Sequence, residues 1–286
     1  MKTFLVPTDF SPEADNAARF AVYLAKDLKA DVQLCHALSL PEESPVSAQV
    51  VWPLEDYNYL KKDADQNLLA LSKQFAEEEA SVSDHDSHHP LITTISQVGT
   101  VTDVVRNLVC YPGVSLVVMG MSGAGRLKRF FLGSSSRDVI EKGGFPTLLI
   151  PSHTVFHGFK KVAFATDLGA DDVLAIAQLA AVIKPFNADL MVIHIKPEGV
   201  EQPEDAARAN AFMSEVTQTV NYPAIGYRSL RAVNIDAALN SLCESDELDL
   251  LAVVHRKHSI YTWLTSGSHT QKLARHTQIP LLVYPG

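Results

Sequence analysis

The residue types best placed to do chemistry lie near the middle of the chain. Gly120-Met121-Ser122-Gly123 is followed, after nine further residues, by Gly133-Ser134-Ser135-Ser136. The apolar run SLVVMG leads into this stretch and reads as a buried strand, and SRDVIEKGG leads out of it and reads as a helix. A strand, a glycine-rich loop and a helix start together suit phosphate, because unpaired backbone N–H groups at a helix start point outward and carry partial positive charge. Gly120 and Gly123 would let the backbone come close to such a group, having no side chain in the way. Gly133 lets the loop turn into the helix, Ser134 and Ser135 offer hydroxyls and N–H groups, and Arg126, Lys128 and Arg129 would offset phosphate charge. Glycines that only permit turns would leave the same pattern, so the loop needs support from the rest of the chain. The lysine of a P-loop is absent, which excludes a P-loop NTPase.

The elements that must hold this loop appear twice. FLVPTDFSPEADNAARFAVYLAKDLKADVQLCHA matches VAFATDLGADDVLAIAQLAAVIKPFNADLMVIHI, with Asp9 against Asp167 and His36 against His194, at a constant offset of 158. Further on, Gly133-Ser134 matches Gly267-Ser268 and Pro146 matches Pro280, at an offset of 134. Two constant offsets mean two copies of one unit, differing by 24 residues between their second and third strands. The expected domains are residues 1–151 and 159–286, joined by SHTVFHG. In the first copy, strands are expected at 3–7, 31–37, 91–97, 114–119 and 147–150, and helices from 12, over 57–80, 101–109 and 134–142. Ser11 is a natural N-cap with Pro12 behind it. Residues 39–55 contain three prolines and read as a loop, and the second copy has a shorter second helix at about 203–219. Strands alternating with helices imply parallel strands with right-handed crossovers, hence an open doubly wound sheet whose ligands sit beyond the carboxyl ends of the strands.

Composition excludes several function classes. The 286 residues are 47% hydrophobic and carry a net charge of −9, which disfavours a general binder of nucleic acid or of an anionic membrane surface. Cys35, Cys110 and Cys243 show no metal spacing, and buried inert thiols are expected. The opening apolar run is too short for an export signal and no run is long enough to span a membrane, so the expected location is the cytoplasm. DHDSHHP (84–90) gathers three histidines and two aspartates without a spaced partner and reads as a solvated loop rather than a metal site. Glu77-Glu78-Glu79 reads as a solvated helix end, His36 and His194 as satisfied core histidines, and Trp52 and Trp263 as packing residues.

Gly-x(2)-Gly-x(9)-Gly-Ser after a strand, with VPTDFS upstream, resembles the ATP-binding pattern of the universal stress protein family, and nearly the whole chain resembles a tandem member. The resemblance implies two open five-stranded parallel α/β sheets of order 3-2-1-4-5, flanked by helices and paired through their fifth strands as an intramolecular pseudodimer. It implies that Pro7, Thr8, Asp9 and the backbone near Ala37 line the adenosine, that Met119, Gly120 and Gly123 approach ribose and phosphates, and that Gly133, Ser134 and Ser135 close over the phosphates. Mg2+ beside the phosphates is compatible with this, although no dedicated ligand set is present. No motif residue is an evident general base, so ATP hydrolysis, if any, should be slow.

In the second copy Gly120 becomes Val254 and Gly123 becomes Lys257, while Asp167 and Gly267-Ser268 persist. A β-branched residue and a long cation would crowd the backbone approach, although the basic run His255-Arg256-Lys257-His258 could still attract an anion. Because the repeat tolerates other residues there, fold symmetry does not demand the glycines, and the expectation is one ATP site per chain, in a nucleotide-dependent stress regulator. The competing expectation is a nucleotide-free interaction module in which both sites are relics. A further homodimer and an unidentified protein partner fit either reading.

Overall fold

In the computed structural model the described residues are 2–38, 54–83, 87–121, 134–197, 203–233, 238, 241–242, 248–256 and 279–286. Their contacts separate them into two units, Met1–Gly120 with Ser134–Phe145, and Met121–Gly133 with Pro146–Gly286.

The first unit begins with β1 (Lys2–Pro7), whose Phe4, Leu5 and Val6 are buried. The chain then enters α1 (Pro12–Leu28). The Ser11 hydroxyl accepts from the Ala14 N–H, Pro12 sits where no donor is needed, and left-handed Lys29 ends the helix. Ala17, Ala18, Ala21 and Ala25 form much of its buried face, and such small residues let α1 lie close to the sheet. There follow β2 (Ala30–Leu38), α2 (Leu54–Val82), β3 (Ile92–Val98), α3 (Val101–Val109), β4 (Val114–Gly120) and α4 (Ser134–Gly143). The strands run parallel in the order β3-β2-β1-β4. α1 packs on β1, β2 and β4, α2 on β2 and β3, and α3 on the sheet and on α4.

The second unit holds β5 (Thr147–Ile150), β6 (Lys161–Thr166), α5 (Ala170–Ile183), a short 3-10 turn at Lys184–Phe186, β7 (Asp189–Pro197), α6 (Pro203–Thr219), β8 (Ile225–Ala232), β9 (Leu250–His255) and β10 (Leu281–Pro285). Its order is β5-β10-β9-β6-β7-β8. The stretch β8-β7-β6-β9-β10 is the expected 3-2-1-4-5 arrangement. Register supports both offsets: Phe4 pairs with Leu116, and Val162 with Leu250.

β5, the fifth strand of the first repeat, pairs antiparallel with β10, the fifth strand of the second. Leu148 faces Leu282, its own counterpart at the offset of 134, and Leu149 faces Leu281 while Thr147 faces Val283. The pairing is therefore self-complementary, as across a two-fold axis. Thr147, Leu148, Leu149 and Ile150 are all buried, so neither apolar edge is left open to aggregation.

α2 spans 29 residues against 17 in α6, so the shorter second helix of the second repeat accounts for half of the difference in length. Two expectations need correction. The acidic end of α2 is only partly solvated: Glu77 is exposed, but Glu79 is buried and accepts from the Ser83 hydroxyl and from His89, and Glu78 pairs with Arg19 at 2.7 Å. Burial alone would raise the Glu79 carboxyl, but the Ser83 and His89 contacts outweigh it and hold it below the usual range. A charge run at a helix end looks solvated until α1 is known to lie beside it. Cys110 is exposed, at the end of the short helix α3, whereas Cys35 is buried and burial pushes its thiol up. His88 bonds the Ala30 carbonyl at 3.0 Å, which ties that end of the histidine cluster to β2, and the described residues contain no grouping able to hold a metal. The loop at 39–53, Asp84 to Asp86, Cys243, Trp52 and Trp263 lie outside the described residues.

Candidate functional site

The two strand ends where a ligand would sit are built from the same turn. Thr8 is buried, and its hydroxyl accepts from the Phe10 N–H at 3.0 Å. The Asp9 carboxylate accepts from the Ser11 N–H at 3.0 Å. At the offset of 158, the Thr166 hydroxyl accepts from Leu168 at 2.8 Å and Asp167 from Gly169 at 3.1 Å. Phe10 and Leu168 both have positive φ, 62° and 64°, uncommon for such side chains. The Thr-Asp pair thus has a structural duty in both repeats, holding a tight turn that swings the chain from strand to helix.

Around this turn the first unit assembles several of the expected residues. Pro7 ends β1, Thr8 and Asp9 follow it, and Asp9 is exposed. Ala37 lies near the end of β2. His36, one residue earlier, contacts the Thr8 carbonyl through Nδ1 at 2.8 Å and lies 4.7 Å from the Phe10 ring, as a satisfied histidine should. Met119 and Gly120 close β4, which pairs with β1. Ser134 and Ser135 open α4, both exposed, and the Ser136 hydroxyl donates to the Gly120 carbonyl at 3.2 Å. That bond ties the helix start to the strand end. α4 has no acidic residue in its first turn, unlike α1, α3, α5 and α6. No carboxylate of its own first turn therefore offsets its N-terminal N–H groups. Gly123 and Gly133 lie outside the described residues.

Gly120 has a reason that the repeat comparison missed. A Cβ on it would lie 2.6 Å from the Glu13 carbonyl oxygen and 2.9 Å from its carbon. Backbone atoms of a helix start cannot give way as a flexible side chain can. The fold of the first unit therefore demands glycine here, contrary to the inference from Val254.

The second unit fills the equivalent place from within. Arg256, directly after β9, bonds Asp172 at 2.7 Å through Nη2 and pairs with Asp167 through Nη1. The Thr166 hydroxyl donates to the other Asp172 oxygen. The Asp172 side chain is 1% exposed, and burial raises its carboxyl above the usual range against the pull of Thr166 and Arg256. The guanidinium lies against the turn closely enough that a Cβ on Gly169 would meet Nη2. Arg256 is thus committed to two carboxylates, not free to attract an anion. Asp172 stands where the first repeat has Ala14, and that exchange is the signal in the sequence that could have exposed the cluster. His194, unlike His36, has a buried Nδ1 with no hydrogen-bond partner among the described residues, and burial lowers its basicity.

A profile described as the universal stress protein family matches residues 1–151 and again 158–285. A universal stress protein of Methanocaldococcus jannaschii is 28% identical over 149 residues, covering 52% of this chain and 81% of its own. The crystal structure of a universal stress protein from Archaeoglobus fulgidus superposes with a TM-score of 0.70 at 19% identity, covering 99% of this chain and 98% of that one. One from Pseudomonas aeruginosa gives 0.58 at 12% identity, over 100% of this chain and 93% of that one. Among the described residues no helix is long and apolar enough to cross a membrane.

Proposed function

The chain belongs to the universal stress protein family, and from that premise we propose that it is a cytoplasmic, nucleotide-dependent stress regulator with one ATP site, in the first unit. The observation that carries this reading is the start of α4. A helix opening on Ser134, Ser135 and Ser136, with no carboxylate in its first turn and tied to the glycine that ends β4, suits a bound phosphate. The adenosine would lie toward Pro7, Thr8, Asp9 and Ala37. Ribose and phosphates would lie toward Met119, Gly120, Gly123, Gly133, Ser134 and Ser135, with Mg2+ held mainly by the phosphates. Protein domains 1–151 and 159–286 carry the intact and the degenerate site. Asp9 already serves the turn and Asp15 is nearby, its carboxyl raised by burial. With Asp9 committed to the turn, the nucleotide acts as an occupancy signal, and turnover, if any, is slow.

The test is to release ligand from the purified protein by denaturation and identify adenine nucleotide in the supernatant, then to titrate ATP. Gly123→Lys, which copies the second repeat, should abolish binding while leaving thermal unfolding unchanged in the absence of nucleotide. Gly120 is unsuitable for this purpose because its substitution disturbs α1. Full ATP binding by Gly123→Lys would sink the assigned site. Absence of nucleotide and of ATP affinity in the parent protein would favour the nucleotide-free interaction module, a reading that the self-filled second unit supports.

A further inference from the structure

We propose that Arg256 is a built-in occupant of the second unit's crevice, a guanidinium supplied by the chain in place of an external ligand, with Asp167 and Asp172 as its receptor. Its consequence for specificity, that the second unit is closed to nucleotide, rests on the reading of the first unit as the ATP site.

Three observations combine. The location is that of a ligand site, since Arg256 leaves the carboxyl end of β9, Asp167 leaves that of β6, and the two strands are parallel neighbours. The contacts are those of a receptor. Two nitrogens of one guanidinium engage carboxylates from two positions, and a third group, Thr166, fixes the inner carboxylate. The planar fork of arginine suits such a bridge and a lysine does not. The electrostatics also require it. A cation beside the start of α5 opposes the helix dipole and is tolerated only with compensating negative charge. Asp172, in the first turn of α5 and almost fully buried, supplies that charge. The first repeat lacks both halves of the arrangement, with Ser122 and Ala14 at the equivalent positions. Cation and buried carboxylate occur together in one repeat and are missing together in the other. A merely decayed site would have no reason to acquire a buried aspartate.

Closure by an occupant differs from decay in a measurable way, because a vacated receptor should bind a replacement. In the full-length chain, Arg256→Ser should lower the melting temperature by about 10 °C, since it leaves Asp172 buried without its partner. Millimolar methylguanidinium should recover much of this loss in Arg256→Ser and none in the wild type. Asp172→Ala added to Arg256→Ser should restore stability without the additive and remove the response to it. If Arg256→Ser alone does not fold, the same two rescues are read as recovery of folded protein. An unchanged melting temperature in Arg256→Ser, or an equal methylguanidinium response in wild type and variant, would overturn the proposal. ATP titration of the same proteins keeps the two readings apart. Loss of ATP binding in the wild type would refute the first-unit site while leaving the guanidinium result standing.

Discussion

The two units present the same turn to solvent and finish it differently. In the first, the Thr8-Asp9 turn leads to a capped α1, and β4 ends on a glycine pressed against the Glu13 carbonyl. In the second, the Thr166-Asp167 turn leads to α5 without a side-chain cap, and the residue after β9 reaches back as a guanidinium. The difference teaches that the Thr-Asp pair cannot by itself diagnose a ligand. It builds the turn in both units, including the one whose crevice is occupied by arginine. What varies is what stands over the turn.

The sharpest way to break the comparison is to copy one unit into the other. Gly120→Val should cost about 3 kcal/mol, the upper end for forcing bulk into a packed site, because the obstacle is helix backbone. Urea denaturation would measure it, and a cost below a few tenths would mean that α1 shifts freely and that Gly120 is kept for ligand alone. A second contrast is the acidic end of α2, which the shorter α6 lacks. Glu79→Gln should cost about 2 kcal/mol at neutral pH, as expected for hydrogen bonds to a buried charged group. The folded-state pKa of Glu79 lies below its ordinary value of 4.5, so its contribution is present above 4.5 and is lost as pH falls through the lowered folded value. The variant and the parent should therefore converge in acid, and a gap that persists below that range would show that the carboxylate charge is not what matters. The smallest effect is Ser11→Gly, which copies Gly169 and should cost only a few tenths of a kcal/mol, since glycine is itself an acceptable cap. Thermal unfolding would show a larger loss if the Ser11 hydroxyl does more than bond Ala14.

Much of the fold was legible because it repeats. Two offsets placed most strands within a residue or two; the fifth-strand pairing came from the family resemblance, and its register, Leu148 against Leu282, only from the structure. Caps were legible because Ser11 and Pro12 act on their immediate neighbours. The site was legible only as a set of positions. The demand for Gly120 arises from a carbonyl 107 residues away in sequence. The Arg256–Asp172 contact spans 84 residues. Local spacing carries no trace of either. Glu79 misled for the same reason: three consecutive glutamates look solvated, and only the approach of His89 and Ser83 shows otherwise.

The pairing of β5 with β10 has a consequence for how association depends on dilution. Two separate copies of such a strand would meet only as often as their concentration allowed. Here both belong to one polypeptide, so the encounter is intramolecular and its effective concentration is set by the connecting chain, on the order of millimolar for a short flexible tether. The β5–β10 pairing therefore does not depend on protein concentration.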